Sequence, residues 1–395
     1  MFDNEYVQKL TLQPRAILAV SPAYPPPLIG GSIVYMYSLL ENSELKFDIL
    51  TSKMKQFNPL TKQSKNDVIR KKWIHFSNNP SKIVLLLSYF YQLYWIIINR
   101  KKYNLILANT EVIQNSFIIL ISSLLKIKVI PFSYGEELTI PLKNKSFKSR
   151  IKKFLLKKVY PRADWHISCC HFARDILSKQ FSVDENLIDV VPVPFNSQKI
   201  KNIENLSNRP FNYQLLSVGR LVKRKGFMEL LDVVKILKEE YPLIKLNIVG
   251  SGPLEEALKA KVIKEELQNY VTIHGRVSDD KLNSLYLSND IFILAHRMLK
   301  NGDTEGSPTT FAEAGIFKLP SIGGKNSGAS TIIEHNKTGF VIDMKDESQI
   351  ISTIKKLFEN KNLVNKMGDA AYKKITKYHN PKFLAEKFTK VLVSL

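Results

Sequence analysis

Cysteine is almost absent. The 395 residues contain two, Cys169 and Cys170, and they are adjacent. Neighbouring thiols cannot build a disulfide framework, which excludes the small secreted scaffolds and points to a reducing compartment. Acidic residues are also scarce, 36 Asp+Glu against 58 Lys+Arg, for a net charge of +22 at pH 7. Long apolar runs are missing too. The most apolar stretch, Ile83 to Ile98, is 16 residues long and carries Ser88, Gln92 and three tyrosines, whereas a bilayer span needs about 20 mostly apolar residues. It is expected as a buried helix, with a membrane-surface helix as the alternative. The opening Met1-Phe-Asp-Asn-Glu5 lacks the basic, apolar, small-residue order of a signal peptide, so none is expected. There is no short-period repeat and no low-complexity tract. No P-loop, G-x-S-x-G elbow or zinc-protease helix occurs. His166, His171, His274, His296 and His335 show no metal-ligand spacing.

What is present is globular composition, 44% hydrophobic and 24% charged, at a length that suits two or three domains. The charge implies an anionic partner: nucleic acid, a membrane surface or a phosphorylated small molecule. Residues 1–199 hold 28 Lys+Arg and 14 Asp+Glu, so +14 of the +22 lies there. Lys143 to Arg162 carries nine basic residues and no acidic one. Phe147, Ile151, Phe154, Leu155 and Val159 recur between them at helical spacing. This predicts a basic amphipathic helix whose Lys152, Lys153, Lys157 and Lys158 face anionic lipid, the alternatives being a solvated helix packed on its own domain and a nucleic-acid face.

Apolar strand-like runs alternate with helical segments through both halves. Ala16–Val20, Phe47–Thr51, Leu105–Ala108, Lys128–Phe132 and Trp165–Ser168 read as strands in the first half. Tyr213–Val218, Lys245–Val249, Val271–His274, Asp290–Leu294, Ser321–Ile322 and Gly339–Ile342 read as strands in the second. The pattern predicts two α/β units with doubly wound parallel sheets and ligands at the carboxyl ends of strands. The polar, Asn-rich stretch from Lys199 to Pro210 reads as a linker. Gly250-Ser-Gly252 lacks the third glycine of a dinucleotide motif and reads as a turn.

Two segments suggest chemistry. In Gly219-Arg220-Leu-Val-Lys-Arg-Lys225-Gly226, Arg220 and Lys225 stand where a strand ends and a helix begins, and together suit a diphosphate. In Glu305-Gly306-Ser307-Pro308-Thr309-Thr310 through Glu313, Pro308 marks a helix start. The amides near Thr309 and Thr310 would then be available to an anion. Glu305 precedes that helix, and Glu313 is expected two turns into it.

These segments resemble those of the GT-B fold glycosyltransferases of family GT4, the retaining glycosyl transferases group 1. The shared features are the G-R-x-x-x-x-K-G context and the Glu-x7-Glu string in its EGSP form. Gly250–Pro253, Val271–Val277, Asp290–Leu294, Glu334–Phe340 and the Gly30-Gly31 loop extend the likeness. The resemblance implies two Rossmann-like domains facing a central cleft: residues 1–205 on the acceptor side, 206–378 holding the nucleotide-sugar, and 379–395 a helix crossing back to the first domain. It implies a hexosyl unit moved with retention from GDP-mannose or a UDP-sugar to a glycan or lipid-linked acceptor, without an essential metal or other cofactor. Arg220 and Lys225 would neutralise the diphosphate, and Glu305 would contact the donor sugar. Gly306, Ser307, Thr309 and Thr310 would surround the phosphates, Glu313 would bind the ribose, and the backbone of Arg276 and Val277 would read the base. Gly31 would approach the donor from the first domain. Tyr134 stands where many members have a histidine, so a histidine role is not expected here, and Glu137 would face the acceptor. The expected partners are the nucleotide-sugar donor, the acceptor and an anionic membrane surface, without nucleic acid, and the expected place is the cytoplasmic face of the membrane. The alternatives are a nucleotide-sugar epimerase or phosphorylase of the same fold, and a non-catalytic basic protein binding membrane or nucleic acid.

Overall fold

A computed structural model describes residues 16–25, 31–53, 64–74, 81–195 and 210–395. The chain divides into two compact units, one of Met1–Cys169, Ala173–Pro194 and Pro381–Leu395, the other of Cys170–Phe172 and Phe195–Asn380. The expected 205/206 boundary, Gly30 and all of the linker except Pro210 lie outside the described residues.

The first unit runs β1 (Ala16–Val20), α1 (Gly31–Asn42), β2 (Phe47–Ser52), β3 (Asp67–Lys71), α2 (Lys82–Ile98), β4 (Tyr103–Ala108), α3 (Val112–Leu125), β5 (Lys128–Ser133), α4 (Glu136–Lys143), α5 (Phe147–Lys158), β6 (His166–Ser168), α6 (His171–Phe181) and β7 (Ile188–Val190). All seven strands are parallel, in the order β3-β2-β1-β4-β5-β6-β7. The central strands are continuous apolar runs because helices cover both of their faces. The order reverses direction between β1 and β4, so right-handed crossovers put α1 on one face and α2, α3 and α5 on the other. The packing follows that rule: α3 lies against both α2 and α5.

The second unit runs β8 (Gln214–Val218), α7 (Phe227–Leu237), β9 (Lys245–Val249), α8 (Glu255–Lys264), β10 (Val271–Ile273), α9 (Asp279–Ser288), β11 (Ile291–Leu294), α10 (Thr310–Ile316), β12 (Ser321–Gly324), α11 (Ala329–Ile332), β13 (Gly339–Ile342), α12 (Glu347–Phe358) and α13 (Lys361–Tyr378). Its parallel sheet has the order β10-β9-β8-β11-β12-β13, reversing between β8 and β11. One continuous core, with Leu216, Ile248, Phe292 and Ile322 on its strands, holds the strand ends rigid. The last helix, α14 (Pro381–Val393), packs on α1 of the first unit. There Phe388 meets Phe47 and Phe132, and Thr389 Oγ1 lies 2.8 Å from Ser43 Oγ. Both units are Rossmann-like, the architecture expected of a GT-B chain.

Three features correct the sequence reading. Strands β3 and β7 are additional; each is a short edge strand, half wetted, and so lacks an apolar run. The Ile83–Ile98 helix is not buried: Ile83, Leu86, Leu87, Phe90, Tyr94 and Ile98 are exposed. In the basic helix α5, Lys152 turns inward to pair with Glu111 at 3.1 Å, while Lys153, Lys157 and Lys158 remain exposed. No helix among the described residues is long and apolar enough to cross a membrane.

Candidate active site

Strands β8 and β9 end side by side, with Val218 in register with Val249. Their carboxyl ends open into a pocket of about 530 Å³ lined by Val218, Gly219, Arg220, the Gly250–Gly252 turn, Arg276 and Val277, with Val249 and Leu282 completing it. A crevice outside the carboxyl ends of parallel strands is where doubly wound sheets bind ligands. Gly219 and Gly250 allow the two ends to meet. A Cβ on Gly250, whose φ is +136°, would stand 1.9 Å from the Gly219 carbonyl oxygen. Arg220 and Arg276 are exposed and make no ion pair among the described residues. Two unneutralised guanidiniums in one concavity are an anion site.

A charged cluster adjoins this pocket. Lys225, in the turn before α7, is buried, and its Nζ lies 3.7 Å from where a Cβ on Gly219 would stand. Glu305 Oε2 accepts from Lys225 Nζ at 2.8 Å and from Arg224 Nε at 3.3 Å. Asp303 adds a longer contact of 3.8 Å to Arg224. Burial alone would raise the Glu305 carboxyl, but the Lys225 ammonium and then Arg224 outweigh it and hold it below the usual range. His296 stands close enough to feel both charges. Burial, aided by Lys225 and opposed by Glu305, pushes its imidazole down to about 4, so it is neutral at pH 7. Its Nε2 lies 2.6 Å from Ser327 Oγ.

Helix α10 begins at Thr310, with Thr309 as its N-cap. Pro308 therefore precedes the helix by two residues, and Glu313 lies in its first turn, not two turns in. Ser307 Oγ and Thr310 Oγ1 are buried without a hydrogen-bond partner in the described structure. Buried hydroxyls are normally satisfied, and the first amides of a helix lack intrahelical acceptors, so this stretch offers donors to a ligand. Glu313 accepts from Tyr286 Oη at 2.8 Å. Burial raises its carboxyl, the reverse of Glu305.

The fold thus gathers Arg220, Arg276 and Val277 at one pocket, and Lys225 and Glu305 in one ion pair beside it. The sequence reading does not assign Arg224, His296, Ser327 or Tyr286 to the site, and it takes Gly250–Gly252 as a turn of the family likeness without placing it at the pocket. The turn had a usable signal, since it directly follows a strand adjacent to the one carrying Gly219-Arg220.

In the first unit, Gly31 opens α1 and is exposed, and a Cβ there would meet no atom within 4 Å. Tyr134 Oη donates to Asn109 Oδ1 at 2.7 Å. Glu137 caps its own helix α4, its two oxygens accepting from the Tyr134 amide at 2.5 Å and the Gly135 amide at 2.9 Å. Burial pushes its carboxyl up to about 7 against the pull of those amides. A carboxyl raised in the native state keeps a proton that the unfolded chain releases. Its contribution is therefore full below pH 4.5 and is lost as pH rises to about 7. Glu137→Gln should flatten this part of the pH dependence of thermal stability. An unchanged slope between pH 4.5 and 7 would exclude Glu137 as its source.

Residues 198–374 match the model of the family described as glycosyl transferases group 1. Over 182 residues the chain is 27% identical to the amylovoran biosynthesis glycosyltransferase AmsK of Erwinia amylovora, covering 46% of this chain and 45% of that one. Over 186 residues it is 28% identical to a GDP-mannose-dependent alpha-(1-6)-phosphatidylinositol monomannoside mannosyltransferase of Mycobacterium tuberculosis, covering 47% and 48%. The chain thus spans about half the length of these curated relatives. Among solved structures, Anabaena Alr3699/HepE in complex with UDP shares the fold with a TM-score of 0.71 at 16% identity, over 96% of this chain and all of that one. The sucrose-phosphate synthase of Thermosynechococcus elongatus does so with 0.74, also at 16% identity, over 96% and 98%.

Proposed function

We propose, from the match of residues 198–374 to the glycosyl transferases group 1 model, that the protein moves a hexosyl unit, with retention, from a nucleotide diphosphate-sugar to a glycan or lipid-linked acceptor. The observation that carries this reading is the joint placement of Arg220, Arg276 and Lys225 around the carboxyl ends of β8 and β9. The diphosphate lies against Arg220 and Lys225. The nucleoside extends along Val277 toward the Gly250–Gly252 turn, and Glu313 meets its ribose. Ser307 Oγ and the Thr309 and Thr310 amides take phosphate oxygens, and Glu305 turns from Lys225 to the sugar. GDP-mannose or a UDP-sugar is the donor, in keeping with the names of the mycobacterial relative and of the Anabaena complex.

In the reaction the bond from the anomeric carbon to the phosphate oxygen breaks, and the acceptor oxygen bonds to that carbon on the same face. The acceptor proton passes to the departing phosphate oxygen. Cations aimed at the charge that develops there supply the main stabilisation, so the reading needs no resident metal or other cofactor. Tyr134 and Glu137 border the acceptor, and the protein works at the cytoplasmic face of a membrane, held there by α5.

Arg220→Ala and Arg276→Ala test the pocket. Each removes an exposed, unpaired guanidinium, so melting temperature should hold while nucleoside diphosphate binding weakens about 10- to 100-fold, the worth of one charge-assisted hydrogen bond. Calorimetric titration with UDP and GDP reads this directly. Binding unchanged in both variants would remove the ligand from this pocket.

A further inference from the structure

Helix α2 is apolar on both of its faces, and Tyr89, Trp95 and Ile96 are buried on the inner one. Its inner face holds Ser88 and Gln92, each 2% exposed, with Gln92 Oε1 accepting from Gln114 Nε2 of α3. Its outer face is a continuous apolar stripe in which Ile83 is 72% exposed, Phe90 60% and Tyr94 58%, joined by Leu86, Leu87, Ile97 and Ile98. These positions recur at the spacing of one helix face. A helix that shows so continuous an apolar face on the side away from its own sheet is adapted to an apolar medium outside it.

The neighbours identify that medium. Helices α2, α3 and α5 form one layer on the same face of the sheet. None of the three contains an Asp or Glu. On α5, Phe147, Ile151 and Phe154 are exposed in one stripe with Lys158, flanked by exposed Arg150, Lys153 and Lys157. Arg100 and Lys101, also exposed, lie just past the Asn99 cap of α2. Between them α3 exposes Leu124, 79% accessible, and Phe117. Apolar stripes ringed by cations complement an anionic bilayer. A second copy of this chain would bring the same cations face to face.

We infer that α2 lies in the plane of an anionic lipid bilayer with its Ile83–Leu87–Phe90–Tyr94 face inserted, and that the α5 stripe docks beside it. This extends the peripheral placement proposed above by making α2 the inserting element and the α5 lysines its electrostatic guide. It is independent of sugar transfer.

Co-sedimentation with phosphatidylcholine vesicles, with and without one quarter phosphatidylglycerol, tests it. The intact protein should bind the anionic vesicles at least tenfold better than the neutral ones. Leu87→Asp with Phe90→Asp, both at exposed positions, should abolish binding to either while melting temperature and nucleotide binding stay unchanged. Lys153→Glu, Lys157→Glu and Lys158→Glu together should remove the anionic preference and its salt dependence. A polarity-sensitive fluorophore on Phe90→Cys should shift to the blue on vesicles, and one on Ile263→Cys, exposed in the second unit, should not. Wild-type vesicle binding by the aspartate variant, or a fluorophore at 90 that stays in water, would overturn the inference. So would a dimer in vesicle-free solution that the aspartate pair makes monomeric, since the stripe would then belong to a second copy.

Discussion

Lys225→Ala is expected to reduce sugar transfer by about 10²- to 10³-fold, the usual cost of removing a donor aimed at developing charge. It should also lower the melting temperature of the second unit by roughly 10 °C. The second effect follows from burial. With Lys225 gone, Glu305 keeps only the longer contact to Arg224 in a site both residues share with little water. Leaving one partner of a buried pair alone costs about 3 kcal/mol or more. The two effects separate in a double variant. Lys225→Met with Glu305→Gln leaves no unpaired charge and should recover most of the melting temperature, yet turnover should remain at the level of the single variant. Recovery of turnover along with stability would show that Lys225 only props Glu305 in place. Arg220→Ala is the counterpart, with loss of binding and no loss of stability, because that side chain is exposed.

The second large effect is steric. Gly250→Ala should destabilise the unit by about 3 kcal/mol or more and eliminate nucleotide binding, since its Cβ would overlap the Gly219 carbonyl oxygen, and a displacement of either strand end closes the pocket. The neighbouring glycines grade the prediction. Gly252→Ala places a Cβ 2.5 Å from the Leu221 carbonyl oxygen and should be damaging but less so. Gly275→Ala meets only a flexible Glu255 carboxylate at 3.7 Å and should cost about 1 kcal/mol for its φ of +64°. Thermal unfolding and UDP titration of the three variants should follow that order. Equal tolerance at 250 and 275 would show that the β8 and β9 ends have room to move apart.

Much of the second unit is legible from sequence because its strands are buried on both faces. Ile291–Leu294 is an uninterrupted apolar run, and such a run has few alternatives. Arg220 and Lys225 were legible as candidate site residues because they sit at a strand-to-helix junction, and the fold does bring Arg220 to the pocket and Lys225 beside it. Edge strands were not, since Asp67–Lys71 shares its solvent exposure with loops. Arg224 was hidden for another reason. It stands between Lys223 and Lys225 in a basic turn, and only three-dimensional placement shows that Arg224 joins Lys225 at Glu305. Helix α2 was expected as buried, with a membrane-surface helix as the alternative, and its exposed face was not legible because hydrophobicity signals avoidance of water without saying what provides the shelter.

The place of α14 has a consequence in time. The first unit buries Leu384, Phe388 and Leu392 of that helix, and Lys387 Nζ donates to the Val190 carbonyl at 2.7 Å. Residues 381–393 are translated only after the whole of the second unit. At about 5–20 residues per second, the sheet that leaves the ribosome first waits roughly 10–40 s for its closing helix. During that interval the groove awaiting Phe388 stays uncovered, while the second unit already has all its own parts. Of the two units, the one whose sheet is begun first thus receives its closing helix last.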